Sequence, residues 1–157
     1  MEEATAPISS YPKGNASFHE LKDKPTRKVP VVSWASAGAG GNFSDLEEQI
    51  DEYLETDCKD PNAYALIIEG DSMEPRFLAG DRVIFMPNSA PQNGNVVVAR
   101  LKKDGQVLLK VYHTFGPHAE MVRLTSFNHR VYPPLEYHAG DFRFIHPVHS
   151  TVRRERR

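Results

Sequence analysis

The segment Glu69-Gly70-Asp71-Ser72-Met73-Glu74-Pro75 places a serine where its hydroxyl could attack a carbonyl carbon. The apolar run 64–68 reads as a strand, and Gly70 permits a sharp turn at its end. Ser72 is then an N-cap candidate, with Pro75 acceptable in the first helical turn. Backbone N–H groups at such a boundary are not yet engaged by a helix and could form an oxyanion hole. The same segment also suits a serine that merely caps a helical turn, so the chemistry depends on finding a base. No histidine follows at an obvious strand end with a carboxylate partner, and a Ser-His-Asp triad is not indicated.

Lysine is the alternative base, and it works only when deprotonated. Lowering its pKa from about 10.4 to about 7 costs roughly 4 to 5 kcal/mol, so the site must be apolar. Lys110 meets that requirement: on a strand it shares a face with Leu108 and Tyr112, and Val107, Leu109 and Val111 make the other face apolar as well. Lys102 and Lys103 flank a turn and read as solvated. An edge lysine that points to water is the competing reading of Lys110.

A substrate for the pair is present in the run Val29-Pro30-Val31-Val32-Ser33-Trp34-Ala35-Ser36-Ala37-Gly38-Ala39-Gly40-Gly41. Extended apolar residues can add to a sheet edge, and small residues at a cut let backbone approach a nucleophile closely. A peptide held on the same chain makes the attack intramolecular, which offsets a poorly ionised base.

The elements that must position these residues are short strands separated by turn signals, predicted at 64–68, 82–86, 95–102, 106–112, 121–126 and 142–149. Asp104-Gly105 sits where a tight hairpin wants residues tolerant of positive φ. Leu46, Ile50, Tyr53 and Leu54 fit a helical face, while Ile50, Glu52, Leu54 and Thr56 fit strand alternation, with the balance towards a strand from about Glu52. The fold class is therefore mostly β. Residues 1–28, with Pro7, Pro12, Gly14 and Pro25 and no sustained apolar period, read as a flexible arm; 29–150 form the domain; 151–157 read as a solvated basic tail.

Composition narrows the function classes. With 157 residues there is room for one cored domain, and 39% hydrophobic with 25% charged residues argues against disorder throughout. A net charge of −2 gives no global attraction to nucleic acid, and no segment has a helix-turn-helix pattern, so direct DNA binding by this chain is not expected. Cys58 has no partner for an internal disulfide and lies between Asp57 and Asp60, surroundings that disfavour a reactive thiolate. His146 and His149 fall on opposite faces of a strand, so no metal site is expected. No apolar run reaches the roughly 18 residues of a membrane helix, and the start Met1-Glu2-Glu3 is not a signal peptide; a cytoplasmic, membrane-free protein is expected.

Taken in order, these motifs resemble the LexA family of self-cleaving repressors, especially its phage-repressor and UmuD branch. Gly70-Asp71-Ser72-Met73-Glu74-Pro75 is similar to the family's nucleophile motif, and Gly80-Asp81 to the Gly-Asp that follows it. Val96-Val97-Val98-Ala99-Arg100, the hairpin and Val107-Leu108-Leu109-Lys110 resemble the segment that delivers the catalytic lysine. Val31-Val32-Ser33-Trp34 leading to Ala37-Gly38 resembles the cleavage region of phage-type repressors, with a cleavage loop over 31–43. The resemblance covers roughly 29–148. It implies a LexA-like protease domain, a partly open barrel or sheet complex, in which Ser72 attacks the Ala37 carbonyl with Lys110 as base. The backbone N–H groups of Asp71 and Ser72 would then hold the oxyanion, with no cofactor. It further implies a homodimer, cleavage provoked by the RecA filament on single-stranded DNA, and a role in SOS-type or prophage transcriptional regulation. The alternative within the family is a UmuD-like accessory protein that regulates an error-prone DNA polymerase after self-cleavage. Two departures stand out: the helix-turn-helix domain of the repressors is not seen, and Ala39-Gly40 repeats the Ala-Gly pair two residues on.

Overall fold

The computed structural model describes residues 25–38 and 50–154. Its elements are strands β1 (Arg27–Pro30), β2 (Tyr53–Thr56), β3 (Tyr64–Ile67), β4 (Arg82–Phe85), β5 (Val96–Leu101), β6 (Val107–Phe115), β7 (Met121–Thr125), β8 (Leu135–His138) and β9 (Phe142–Val152). Seven form one sheet in the order β3-β4-β9-β5-β6-β7-β8, with every neighbouring pair antiparallel. The other two, β1 and β2, pair as a separate antiparallel ribbon.

Residue alternation assigns each strand two faces, and the packing fills both. Tyr64 and Leu66 of β3 join Val83, Phe85, Val98 and Leu109 in one apolar cluster. Ala65 and Ile84 point the other way and meet Val29, Cys58 and Ala63, so the β1–β2 ribbon covers the back of β3 and β4. A third cluster gathers Val97, Ala99, Leu101, Val122, Leu124 and Phe142 on the opposite face of β5–β7. Strands buried on both sides explain why 64–68 and 96–99 read as continuous apolar runs rather than alternating ones. Pairing irregularities at Ile84/Phe85 and at Arg100/Leu101 mark where β9 bends against its two neighbours.

The mostly β expectation holds, and all six predicted strands are present. The β5–β6 turn closes through Gly105, whose φ is +73° and whose N–H donates to the Leu101 carbonyl. The ambiguous stretch resolves as strand from Tyr53, while Leu46 lies outside the described residues. Arg27 and Lys28, in the span read as an arm, already belong to β1, because they pair with Thr56 and Glu55 of β2, and the Arg27 guanidinium also donates to the carbonyls of Asp60 and Pro61; residues 1–24 are outside the described part. The β8 strand was not foreseen: four residues after Pro133-Pro134 are too short to show a period, and β8 forms by pairing with β7, across which Arg123 and Glu136 make a 2.8 Å ion pair.

At the other end the solvated-tail expectation is corrected for 151–154. β9 runs to Val152, Arg153 donates to Asp81 Oδ2 at 3.1 Å, and the Arg154 N–H donates to Asp81 Oδ1 at 3.0 Å. A carboxylate with no solvent exposure needs such donors, and the chain after β9 supplies them. Residues 155–157 are outside the described part. The two histidines of β9 diverge as expected: His146 is buried, with Nδ1 2.8 Å from the Tyr64 hydroxyl and its ring stacked on Phe144, whereas His149 lies 3.5 Å from Asp57. Burial pushes the His146 pKa down to about 4, so the ring is neutral near pH 7.

Candidate active site

Ser72 lies on the segment that leaves β3. The segment turns without becoming a helix: the Glu74 N–H donates to the Asp71 carbonyl at 3.1 Å and the Phe77 N–H to the Met73 carbonyl at 2.9 Å. Pro75 explains the departure from the expected helical turn, since it lacks an N–H and disfavours helical backbone at Glu74. Met73 and Phe77 are buried in the first apolar cluster and pin the turn, leaving Ser72, just before Met73, half-exposed. A loop after β7 clamps it from outside. The Asn128 N–H donates to the Ser72 carbonyl at 3.0 Å, Asn128 Nδ2 to the Asp71 carbonyl at 3.2 Å, and the Tyr132 hydroxyl to Asp71 Oδ1 at 2.5 Å. Among the described residues, neither the Asp71 nor the Ser72 N–H donates to a backbone carbonyl.

Lys110 sits in the middle of β6, which is flanked by β5 and β7 and is no edge. Its side chain is 7% exposed, and Nζ donates to Ser126 Oγ at 2.7 Å, with the Tyr132 ring centroid 5.3 Å away. Burial holds the ammonium's pKa below the ordinary lysine value, because the charged form loses hydration that apolar neighbours do not replace. Ser72 and Lys110 line the same pocket, together with Trp34, Glu69 and Leu108. A hydroxyl and a lysine biased towards its neutral form can, in such a pocket, act as nucleophile and general base.

The Ala37-Gly38 bond stands elsewhere. Val31 bridges Ala65 in parallel, the Val32 N–H donates to the Ala65 carbonyl at 2.9 Å, and the Trp34 indole N–H donates to the Ile67 carbonyl at 2.9 Å, so the chain does add to the free edge of β3. Trp34–Ser36 then form a 3-10 turn capped by Ser33 Oγ. One nitrogen of Arg100 donates to the carbonyls of Trp34, Ala35 and Ala37 at 3.2, 2.9 and 3.3 Å, and another donates to the Gly105 carbonyl at 2.9 Å. Gly38 has φ +74°, and a Cβ there would come within 2.1 Å of the Phe144 ring, a closeness that glycine alone permits. Ala37 and Gly38 thus line a second pocket with Arg100 and Phe144, not the one that holds Ser72 and Lys110. Arg100 pairs with Val107, three residues before Lys110 on β6, or roughly 10 Å along the strand. Ala39-Gly40 lies outside the described residues.

The sequence reasoning did not find Ser126, Asn128, Tyr132 or Arg100. Ser126 did leave a signal: it continues the alternation of Val122 and Leu124, so a polar residue stands on an apolar face. The others act through loop geometry and backbone carbonyls, which leave no periodic trace.

The family described as Peptidase S24-like matches residues 30–148. The chain is 33% identical to repressor protein C of Rhizobium phage 16-3 over 103 residues, an alignment that covers 60% of this chain and 38% of that protein. It is 33% identical to the LexA repressor of Desulfatibacillum aliphaticivorans over 141 residues, covering 86% of this chain and 65% of the repressor. With the LexA repressor of Thermosipho africanus it shares 32% over 120 residues, covering 73% of this chain and 58% of the repressor. The chain therefore spans about two fifths to two thirds of the length of these relatives. Among the described residues no helix is long and apolar enough to cross a membrane.

Proposed function

Because the chain belongs to the Peptidase S24-like family and its relatives are repressors, we propose that it is a repressor-type serine peptidase that cuts its own Ala37-Gly38 bond. The observation that carries the reading is the pocket shared by half-exposed Ser72 and buried Lys110, whose pKa is held low. Neutral Lys110 takes the Ser72 hydroxyl proton as Oγ bonds to the Ala37 carbonyl carbon. The N–H groups of Asp71 and Ser72 hold the oxyanion. The resulting ammonium protonates the Gly38 nitrogen as the C–N bond breaks, and water hydrolyses the Ala37–Ser72 ester with Lys110 again as base. The reading carries the partners of its class: a second copy of the chain and the RecA filament on single-stranded DNA as the stimulus that brings the bond to the pocket.

Incubating the purified chain at alkaline pH, with and without that filament, and weighing the products tests this directly. Wild type is expected to yield a fragment beginning at Gly38, and Ser72→Ala to stay intact under both conditions. Identical fragments from Ser72→Ala, or a cut before Gly40, would refute the nucleophile or the bond respectively.

Arg100 gives a second handle. Its guanidinium binds the carbonyl that Ser72 must attack, and it does so in the other pocket. Hydrogen bonds to a charged donor contribute about 1.5–3 kcal/mol, so their loss should favour release of the segment by about tenfold or more. Arg100→Ala is therefore expected to self-cleave about tenfold faster than wild type. A slower rate with unchanged thermal stability would mean that Arg100 guides the bond instead of retaining it.

A further inference from the structure

The loop that clamps the Ser72 turn also touches Lys110. Ser126 is its first residue, 5% exposed, and its hydroxyl accepts the 2.7 Å hydrogen bond from Lys110 Nζ. Since Val111 pairs with Thr125, Ser126 stands across from Lys110 on the face it shares with Val122 and Leu124. Two residues on, Asn128 holds the backbone of Ser72, and Tyr132 holds Asp71 while presenting its ring to Nζ. One loop therefore touches both ends of the path a proton would take between Ser72 and Lys110.

A neutral amine has two N–H groups and one lone pair, and a lysine stem has four rotatable bonds. Unless one N–H is committed to a fixed acceptor, the lone pair samples directions that do not face the serine. Resting on the Ser72/Lys110 reading, we propose that Ser126 is a positioning residue that accepts one N–H of Lys110 and so leaves the lone pair free for the Ser72 proton. Ser126 itself makes no contact with the bond to be cut. The ionisable groups around Nζ are Tyr132 in the same loop, Glu69 on the pocket wall, Tyr112 two residues along β6, and Asp71 behind Tyr132. None of these takes the place of the hydroxyl as acceptor of the 2.7 Å bond.

The test compares wild type, Ser126→Ala and Ser126→Thr in the full chain, with Ser72→Ala and Lys110→Ala beside them. Self-cleavage rate is read from neutral to alkaline pH. The Lys110 side-chain nitrogen is titrated by NMR in a Ser72→Ala background, where the chain stays intact. Misplacing a reacting group by about 1 Å costs on the order of 10²-fold in rate, so Ser126→Ala is expected to slow cleavage by about that factor across the pH range. Its Lys110 should at the same time titrate at lower pH, because the charged form has lost an acceptor. A lysine that is more often neutral yet reacts more slowly is a signature that simple destabilisation does not produce, and threonine, which keeps the hydroxyl, should restore most of the rate. The proposal is overturned if Ser126→Ala cleaves at the wild-type rate, if Lys110 titrates identically with and without the hydroxyl, or if a rate loss follows the melting temperature and threonine does not recover it. Cleavage by Ser72→Ala or Lys110→Ala would defeat the dyad reading instead, a result the NMR comparison keeps separate from the fate of Ser126.

Discussion

Lys110→Arg is expected to abolish self-cleavage, by at least about 10⁴-fold, the order found when one member of a cooperating catalytic set is lost. The substitution preserves a positive charge and a long stem, but a guanidinium does not deprotonate at any pH the fold survives. What it removes is the neutral state that burial of Lys110 favours. The same reasoning fixes the pH dependence of wild type. Below the lysine's pKa the neutral fraction rises about tenfold per pH unit and above it saturates. As that pKa lies below the ordinary 10.5, the plateau must begin below pH 10.5. Stability follows the linked sign: the unfolded chain binds the proton more tightly between the folded and unfolded pKa values, so stability rises with pH through that window. Lys110→Met, which removes the buried charge, should be inactive and at least as stable as wild type. Fragment masses and rates across the pH series decide the matter, and wild-type processing by either variant would sink the lysine assignment.

Asp81→Ala is expected to cost about 3 kcal/mol of folding stability. Asp81 is fully buried, and its carboxylate accepts from the Leu78 N–H at 2.9 Å, the Arg154 N–H at 3.0 Å and the Arg153 guanidinium at 3.1 Å. Alanine leaves two part-buried backbone donors without that acceptor. The Arg153 side chain is 54% exposed, so the ion pair proper adds little and Arg153→Ala should lose less than about 1 kcal/mol. Urea denaturation of the two variants separates the contributions. Equal losses in both would mean that the salt bridge, not the backbone bonds, is what matters.

The fate of Gly80-Asp81 illustrates how much was legible beforehand. The pair stands out in the sequence as a motif that follows the Ser72 segment, but its role as the anchor of the chain beyond β9 follows from a contact across 72 residues that no local pattern encodes. Lys110 was readable because its neighbours on both faces of a strand are apolar, and that inconsistency survives in one dimension. Strand existence was readable for the same reason, whereas β8 and β1 depend on their partner strands β7 and β2. Ala37-Gly38 could be picked out by its small residues, yet nothing in a run of alanines and glycines says that Arg100 will seat it against Phe144. Tertiary hydrogen bonds to backbone carbonyls are invisible to sequence, since every residue offers the same oxygen.

The sheet order has a consequence for the time at which this protein can act. Ser72 is attached to the half made of β3 and β4, Lys110 to the half made of β5 to β8, and the strand that joins them in the sheet is β9, the last to be synthesised. Until β9 leaves the ribosome, β4 and β5 have no shared neighbour, and the sheet lacks the one strand hydrogen-bonded to both halves. If the chain cuts itself as proposed, a nascent chain that already carries Ser72, Lys110 and the Ala37-Gly38 bond is expected to stay uncut until β9 has joined the two halves of the sheet.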